Sequence, residues 1–467
     1  MLRASAAAEK AGVPSVSIVA TPFMKQAAVI AKGLGMPNLS IAEYPGVPMT
    51  DSQEVVREKT AAHLVQQIVR GLAHLESVAE KAEPGIRDGV RAVVFRGTLA
   101  EVQDHFIAQQ WSDGLPIIPP TLAAVSAFLR YTDRELEEVI GVLPPENRQA
   151  TVWNVAVNGV MAGCRPEYMP ILLAIVDAIL DPEFHFEDAG ATPGWEPLVI
   201  LSGPLIEQLD FNCGAGVMRI GRQANSSIGR FLRLYIRNVA GSRILPTGSD
   251  KGSIAGSFHV VLAENESAVA ELGWQPFSVD QGFAAGENVV TVQSVVSVSP
   301  PIYSGGFTAE SHMEVIAEAL GDETRLRCFG GHGNGRYFPL LLLGPAIAEV
   351  IVRSGWSKND IRRYLYDRLK IRAGLSERYA WHAGLTSFSL EEKVRLGILE
   401  PRYASSADPN REVPVMIKPE WLGIVVSGDP GRNQSKAYIN NHIHGQRVSR
   451  LVRLPRAWNE LRRERRP

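Results

Sequence analysis

A chain of 467 residues is longer than one ordinary hydrophobic core supports, so two unequal units are expected. Its 48 Lys and Arg against 50 Asp and Glu leave a net charge of −2, which excludes a global electrostatic draw to nucleic acid or to an anionic membrane face. An apolar fraction of 45% and a mean hydropathy near zero fit a globular fold.

In chain order, Ser15–Ala20 is a β-branched run that reads as a buried strand. Thr21 stands as an N-cap with Pro22 at the first helical position, predicting a helix to about Leu34. Leu39–Ala42 is a second short strand, and Asp51 or Ser52 caps a helix reaching about Lys81. Strand–helix–strand–helix implies a parallel sheet, half of a doubly wound domain, whose open edge asks for a partner. Glu83–Gly89 is the linker candidate. The expected fold class is therefore mixed α/β: a partial doubly wound parallel-sheet domain over 1–82 and a larger α+β domain over 90–467.

In the larger part, Thr98 to Glu101 forms a capping-box pattern opening a helix to about Trp111. Prolines forbid regular structure over 111–121, where Asp113 is a candidate site carboxylate. Helices are predicted at 121–130, 132–140, 151–163, 166–180 and 221–239. Strands are predicted at 197–202, 257–263, 289–298, 338–343 and 423–426. Residues 447–467 hold eight arginines against two glutamates, read as a solvated tail or an arm gripping a partner subunit; nucleic-acid binding through it is not expected.

Cys164, Cys213 and Cys328 are an odd, scattered set, no disulfide framework, and suit a reducing compartment. The N-terminus lacks an apolar core of signal-peptide length, and the most apolar run, 337–352, is broken by Pro339, Gly344, Pro345 and Glu349. A cytoplasmic protein with no membrane span is expected.

Three glycine-flanked segments can carry chemistry, and they are expected to fold into one pocket. In the first, Phe211-Asn212-Cys213-Gly214-Ala215-Gly216 precedes a helix opening with Arg222, Asn225 and Ser226. Helix N-termini attract anions, and a cation placed there is unfavourable unless an anion is bound. Asn212, Gly214, Arg222, Asn225 and Ser226 are therefore candidate substrate contacts, and Cys213 a candidate catalytic thiolate with a lowered pKa. Cys164, at a helix junction, is a weaker thiol candidate; a free cysteine is ordinarily a small buried apolar residue.

In the second segment, Gly330 to Gly335, four glycines surround His332 and Asn334 and suggest a ligand-hugging loop with His332 catalytic. In the third, Asp429-Pro430-Gly431 opens an anion-binding turn with Arg432, Ser435 and Lys436. Beyond it, His442 and His444 fall on one side of a strand. Acid/base chemistry by His442 beside Asn441 is preferred there over a metal site that would borrow a ligand from His185, Glu187 or Asp188. No motif requires a cofactor, and no Walker, dinucleotide, CxxC, HExxH or GxSxG signature occurs.

Residues from about Ala6 to Leu72 resemble part of the UGSC family through Glu9-Lys10-Ala11-Gly12-Val13-Pro14, Val16–Ala20, Thr21-Pro22-Phe23, Leu34-Gly35-Met36-Pro37-Asn38 and Glu58-Lys59-Thr60-Ala61-Ala62. That family is related to the selenoprotein B components of glycine, sarcosine and betaine reductases. The resemblance implies a link to thiol or selenol redox chemistry, but no cysteine precedes Cys164, so the family's redox residue has no counterpart. The remainder looks like the larger domain fused to such segments in bacterial proteins. Taken together, the expectation is an enzyme for a small anionic substrate, by thiol-linked reductive or C–heteroatom cleavage. The alternatives are a metal-independent lyase or hydrolase using His with Arg or Asn, and a non-catalytic subunit of a redox complex. A homo-oligomer is expected, with a possible partner completing the N-terminal sheet.

Overall fold

The computed structural model describes residues 2–34, 36–73, 91–188, 194–244, 256–385, 387–440 and 445–464. The Glu83–Gly89 linker, Asn441, His442 and His444 lie outside them. The fold mixes helices with parallel and antiparallel strands, an α/β class. Backbone contacts divide it into one unit of residues 1–116, 141–150 and 235–251 and a second of 117–140, 151–234 and 252–467. No helix among the described residues is long and apolar enough to cross a membrane.

In the first unit, β1 (Ser17–Ala20) pairs in parallel with β2 (Ile41–Tyr44), Ser17 opposite Ile41, across the helix Met24–Gly33. Thr21 does not cap that helix. Its Oγ1 donates to the Tyr44 carbonyl at 3.1 Å, and a 3-10 turn, Thr21–Phe23, leads in from Ala20. Ser52 caps Gln53–Lys59, while Asp51 takes Lys59 Nζ and the Tyr44 hydroxyl, each at 2.6 Å. The outer edge of β2 is blocked at Glu43, where the Gln67 side chain accepts from the backbone N–H at 2.9 Å and donates to the C=O at 3.1 Å. A side-chain amide thus takes the place of a neighbouring strand. The capping box at Thr98 forms, with Glu101 accepting from Thr98 N at 2.7 Å.

The predicted helix at 132–140 is absent. Instead β3 (Val139–Leu143) turns through Pro144 to Asn147 and pairs with β4 (Arg148–Thr151), because Val139, Ile140 and Val142 favour a strand and the two prolines end any helix.

The second unit is built on an eight-stranded mixed sheet. Its strands are β5 (Glu196–Ser202), β6 (Leu262–Ala263), β7 (Val289–Val298), β8 (Ile302–Tyr303), β9 (Leu340–Leu343), β12 (Gly423–Val426), β13 (Gln434–Asn440) and β14 (Val448–Leu451), while β10 (Lys370–Arg372) and β11 (Glu412–Pro414) form a separate antiparallel pair. The path runs β12-β9-β13-β7-β5-β6, with β14 on β7 and β8 on β13. β12 is parallel to β9 and β5 to β6; the other pairings are antiparallel.

The sheet curls until its end strands meet: Asn265 N donates to Val426 O at 2.9 Å, and Ser427 Oγ to Ala263 O at 2.7 Å. Alternation then sorts side chains to two faces. Leu198, Ile200, Leu262, Val295, Leu340, Leu342, Val425 and Tyr438 fill the inside of the curl. Leu341, Leu343, Ile424, Val426, Ala437 and Ile439 point outward into a core shared with Met313, Ile316 and Leu320 of the helix Ala309–Arg325.

Three expectations change here. Of the predicted strand 257–263 only β6 pairs in the sheet, because Val261 gives its N–H and C=O to Asn225. The expected turn at 428–436 ends early, and Ser435 and Lys436 belong to β13, a strand with neighbours on both sides. The C-terminal arginines are not a free tail. Arg447 donates to the Pro339 and Trp421 carbonyls, Arg450 pairs with Asp181, and Arg462 reaches Gln208 at 2.8 Å.

Candidate functional site

Most of the polar groups singled out in the first segment are consumed by the chain itself. Asn225, fully buried in the helix Gln223–Tyr235, accepts from Asn212 N at 2.8 Å and donates to Asn212 O at 3.0 Å and Val261 O at 2.9 Å. Asn212 folds its own loop, accepting from Gly214 N at 3.0 Å and donating to Ala215 O at 3.0 Å. Ser226 Oγ accepts from Gly221 N at 3.3 Å. Arg222 answers the helix-dipole problem with an exposed ion pair in which its Nη1 lies 2.9 and 2.7 Å from the two carboxylate oxygens of Asp210, so no bound anion is needed to explain it.

The thiols are the reverse of activated. Burial raises the Cys213 thiol, which is half-buried. Burial pushes Cys164 up to about 12, against the opposing influence of Ser227 and Arg230, and Cys328 likewise to about 12. A thiol raised by desolvation is almost wholly protonated at neutral pH.

The second segment is no loop. Cys328–Asn334 is helical, and His332 is fully buried, with Nδ1 2.9 Å from Ser376 Oγ and Nε2 2.9 Å from the Pro414 carbonyl. The carbonyl can only accept, so Nε2 carries the proton and Ser376 donates to Nδ1. Burial pushes this histidine down to about 4. It is a neutral core residue whose hydrogen bonds run to Ser376 and Pro414 and not to the other two segments.

Those two segments do meet. The Cys213 carbonyl accepts from Ser427 Oγ at 2.8 Å and from Gly428 N at 3.1 Å. Arg432 is exposed, 3.9 Å from Asp429, and Ser435 Oγ is buried with no hydrogen-bond partner among the described residues. His185 faces Glu187 at 2.9 Å on the surface, and among the described residues no group of three or more His, Cys, Asp or Glu could hold a metal. Asp113 accepts from Leu115 N at 3.4 Å within its own turn.

Where the loop 211–218 reaches Met218 it becomes the wall of a cavity of about 390 Å³, enclosed also by Gly194, Trp195 and Glu196 at the start of β5, Gly256 to Phe258, Val295 to Val298, Lys436 and Tyr438. Lys436 is half-buried, and among the described residues it has neither an ion-pair nor a hydrogen-bond partner. Burial holds its ammonium below the usual lysine range, since a desolvated charge is disfavoured.

The carboxylate of Glu196, 4% exposed, accepts from Ser257 Oγ at 2.9 Å and lies 3.4 Å from Arg233 Nε. Among the described residues the cavity thus offers one unmatched cation, one matched carboxylate, the Ser257 hydroxyl directed at that carboxylate, and the hydroxyls of Tyr438 and of Ser297, the latter donating to Glu323 at 2.8 Å. Of these residues sequence reasoning reached only Lys436. Glu196, an ionisable residue in the otherwise apolar run Trp195–Leu201, was the signal available for the rest.

No curated protein and no solved structure is significantly similar to the chain. Residues 1–74, which carry β1, β2 and the helices around them, match the model of the UGSC family, and the rest of the chain has no family assignment.

Proposed function

We propose that the larger unit is an enzyme for a small anionic substrate, held in this cavity with Lys436 as its counter-ion. The observation that carries the reading is the amine itself. A half-buried cation without a partner among the described residues is costly unless something negative enters beside it. Ser257 and Glu196 supply the proton chemistry: the hydroxyl is already aligned on a carboxylate that can accept its proton when the oxygen is drawn toward a reacting centre. This favours a lyase or hydrolase reaction over thiol chemistry, because every cysteine thiol is raised by burial.

The test is turnover of a mixture of small organic acids followed by mass spectrometry. The expected result is loss of one component, with Lys436→Met raising KM about tenfold or more and Glu196→Gln lowering kcat about a hundredfold. An unchanged mixture, or Lys436→Met with wild-type KM, refutes the reading. A second reading, a non-catalytic subunit of a redox complex, is favoured by the UGSC match over residues 1–74. It requires that anions bind the cavity and emerge unchanged.

A further inference from the structure

We propose that the ligand of this cavity is a monocarboxylic acid carried on an apolar, aromatic or branched body, and not a phosphate or a polyanion. The proposal rests on the reading of the cavity as an anion site and names the class of anion.

Charge comes first. Among the described residues Lys436 is the one lining cation, and it is unmatched, while Arg233, beside the lining residue Glu196, is already committed to it at 3.4 Å. A single negative charge balances the cavity. A second would have no counter-ion and would stand near the Glu196 carboxylate, a like-charge arrangement that costs free energy in a site with restricted solvent.

Hydrogen-bonding capacity agrees. A phosphate has several acceptor oxygens to satisfy and is ordinarily met by a cluster of backbone N–H groups or a fork of arginine. Here the Ser257 proton is already given to Glu196 at 2.9 Å and the Ser297 proton to Glu323 at 2.8 Å, which leaves the lysine ammonium and the Tyr438 hydroxyl as the side-chain donors among the described lining residues, too few for a phosphate.

Most of the remaining described wall is apolar: Trp195, Met218, Phe258, Val298 and the ring of Tyr438. Phe258 and Tyr438 meet edge-on, with ring centroids 6.3 Å apart, a surface suited to an aryl or branched alkyl group. Met218, unbranched and adaptable, can adjust to its outline. A volume of about 390 Å³ lies at the low end of small-molecule sites, which span roughly 300–1,000 Å³, enough for one such acid.

Isothermal calorimetry on the full chain separates the possibilities, with phenylacetate, phenylacetamide, succinate and inorganic phosphate as probes. Phenylacetate is expected to bind with a negative heat-capacity change, and the uncharged amide about tenfold more weakly or worse. Lys436→Met loses about tenfold toward the acid while Lys436→Arg keeps it. Phe258→Ala weakens phenylacetate but not acetate, added as a ringless control beside the four probes, a readout that a general loss of fold does not imitate. Tighter binding of phosphate or succinate than of phenylacetate overturns the proposed class and leaves the anion site standing. Equal affinity for acid and amide overturns the class and the counter-ion role of Lys436 together, and so does the absence of binding by all four.

Discussion

The Ser427 hydroxyl donates to the Cys213 carbonyl at 2.8 Å, joining the end of β12 to the loop that runs on to Met218 in the cavity wall. Ser427 is 1% exposed, and the same hydroxyl lies 2.7 Å from Ala263 O, so one side chain ties the two end strands of the curled sheet to the loop that borders the site. Ser427→Ala removes the hydroxyl proton shared between the Ala263 and Cys213 carbonyls, the second of which keeps Gly428 N, a cost of about 1–3 kcal/mol, measurable by denaturant unfolding. The Cys213 thiol, raised by burial, is expected to alkylate with iodoacetamide at neutral pH more slowly than a cysteine in an unstructured peptide, and faster in Ser427→Ala. Wild-type alkylation at the peptide's rate would contradict the burial of this thiol.

Glu264 and His332 set opposing pH dependences. Glu264 is fully buried, accepting from Ser202 Oγ at 2.7 Å and Phe277 N at 2.8 Å, and burial raises it to about 7 in spite of Lys358. Between its ordinary 4.5 and 7 the folded chain holds a proton that the unfolded chain has released, so this contribution is full below 4.5 and is lost as pH rises toward 7. His332, lowered to about 4 from 6.5, behaves in reverse: its contribution is full above 6.5 and is lost as pH falls toward 4. Across pH 4.5–6.5 the two slopes offset one another. Glu264→Gln is expected to expose the histidine slope, a loss of about 2–3 kcal/mol on acidification through that window. His332→Asn exposes the glutamate slope, with stability rising as pH falls. Unfolding free energies at half-unit pH steps check both signs.

Helix Gln223–Tyr235 lies so close to the segment before β6 that a Cβ on Gly229 would overlap the His259 carbonyl. Backbone meets backbone there, so neither side can swing away. Gly229→Ala is expected to destabilise by about 1–3 kcal/mol, although alanine is the better helix former by about 1 kcal/mol. A variant that melts at or above the wild-type temperature would show that the helix can retreat.

The sequence was most legible where local signals and packing agree. Val289–Val298 is rich in β-branched residues and forms a strand over those residues, and Thr98 with Glu101 makes the capping box its spacing implies. It misled where tertiary packing overrides local preference. The glycines around His332 read as a loop, yet a Cβ on Gly331 would meet the Tyr337 ring, so the small residues are what let the helix Cys328–Asn334 pack closely. Asp429-Pro430-Gly431 is so strong a turn signal that it hid β13 immediately after it. Lys436 was chosen as a donor in a turn, but the structure places it on the inward face of β13, in line with Tyr438. The cavity draws its walls from five separate stretches of chain, and no local pattern announces such a convergence.

The position of Lys436 on that strand carries a pH signature of its own. Because burial holds its ammonium below the ordinary lysine range, the cation disappears earlier on the alkaline side than an exposed lysine would. Affinity for a carboxylate should therefore fall as pH rises through this lowered pKa, by up to about tenfold per unit once the amine is mostly neutral. A bound carboxylate pushes the pKa back up, so binding at a pH near the lowered pKa should take up protons, which calorimetry in buffers of different ionisation enthalpy detects. Lys436→Arg, whose guanidinium stays charged, should bind with no such fall. A fall that persists in Lys436→Arg would assign the titration to another group and remove Lys436 as the counter-ion.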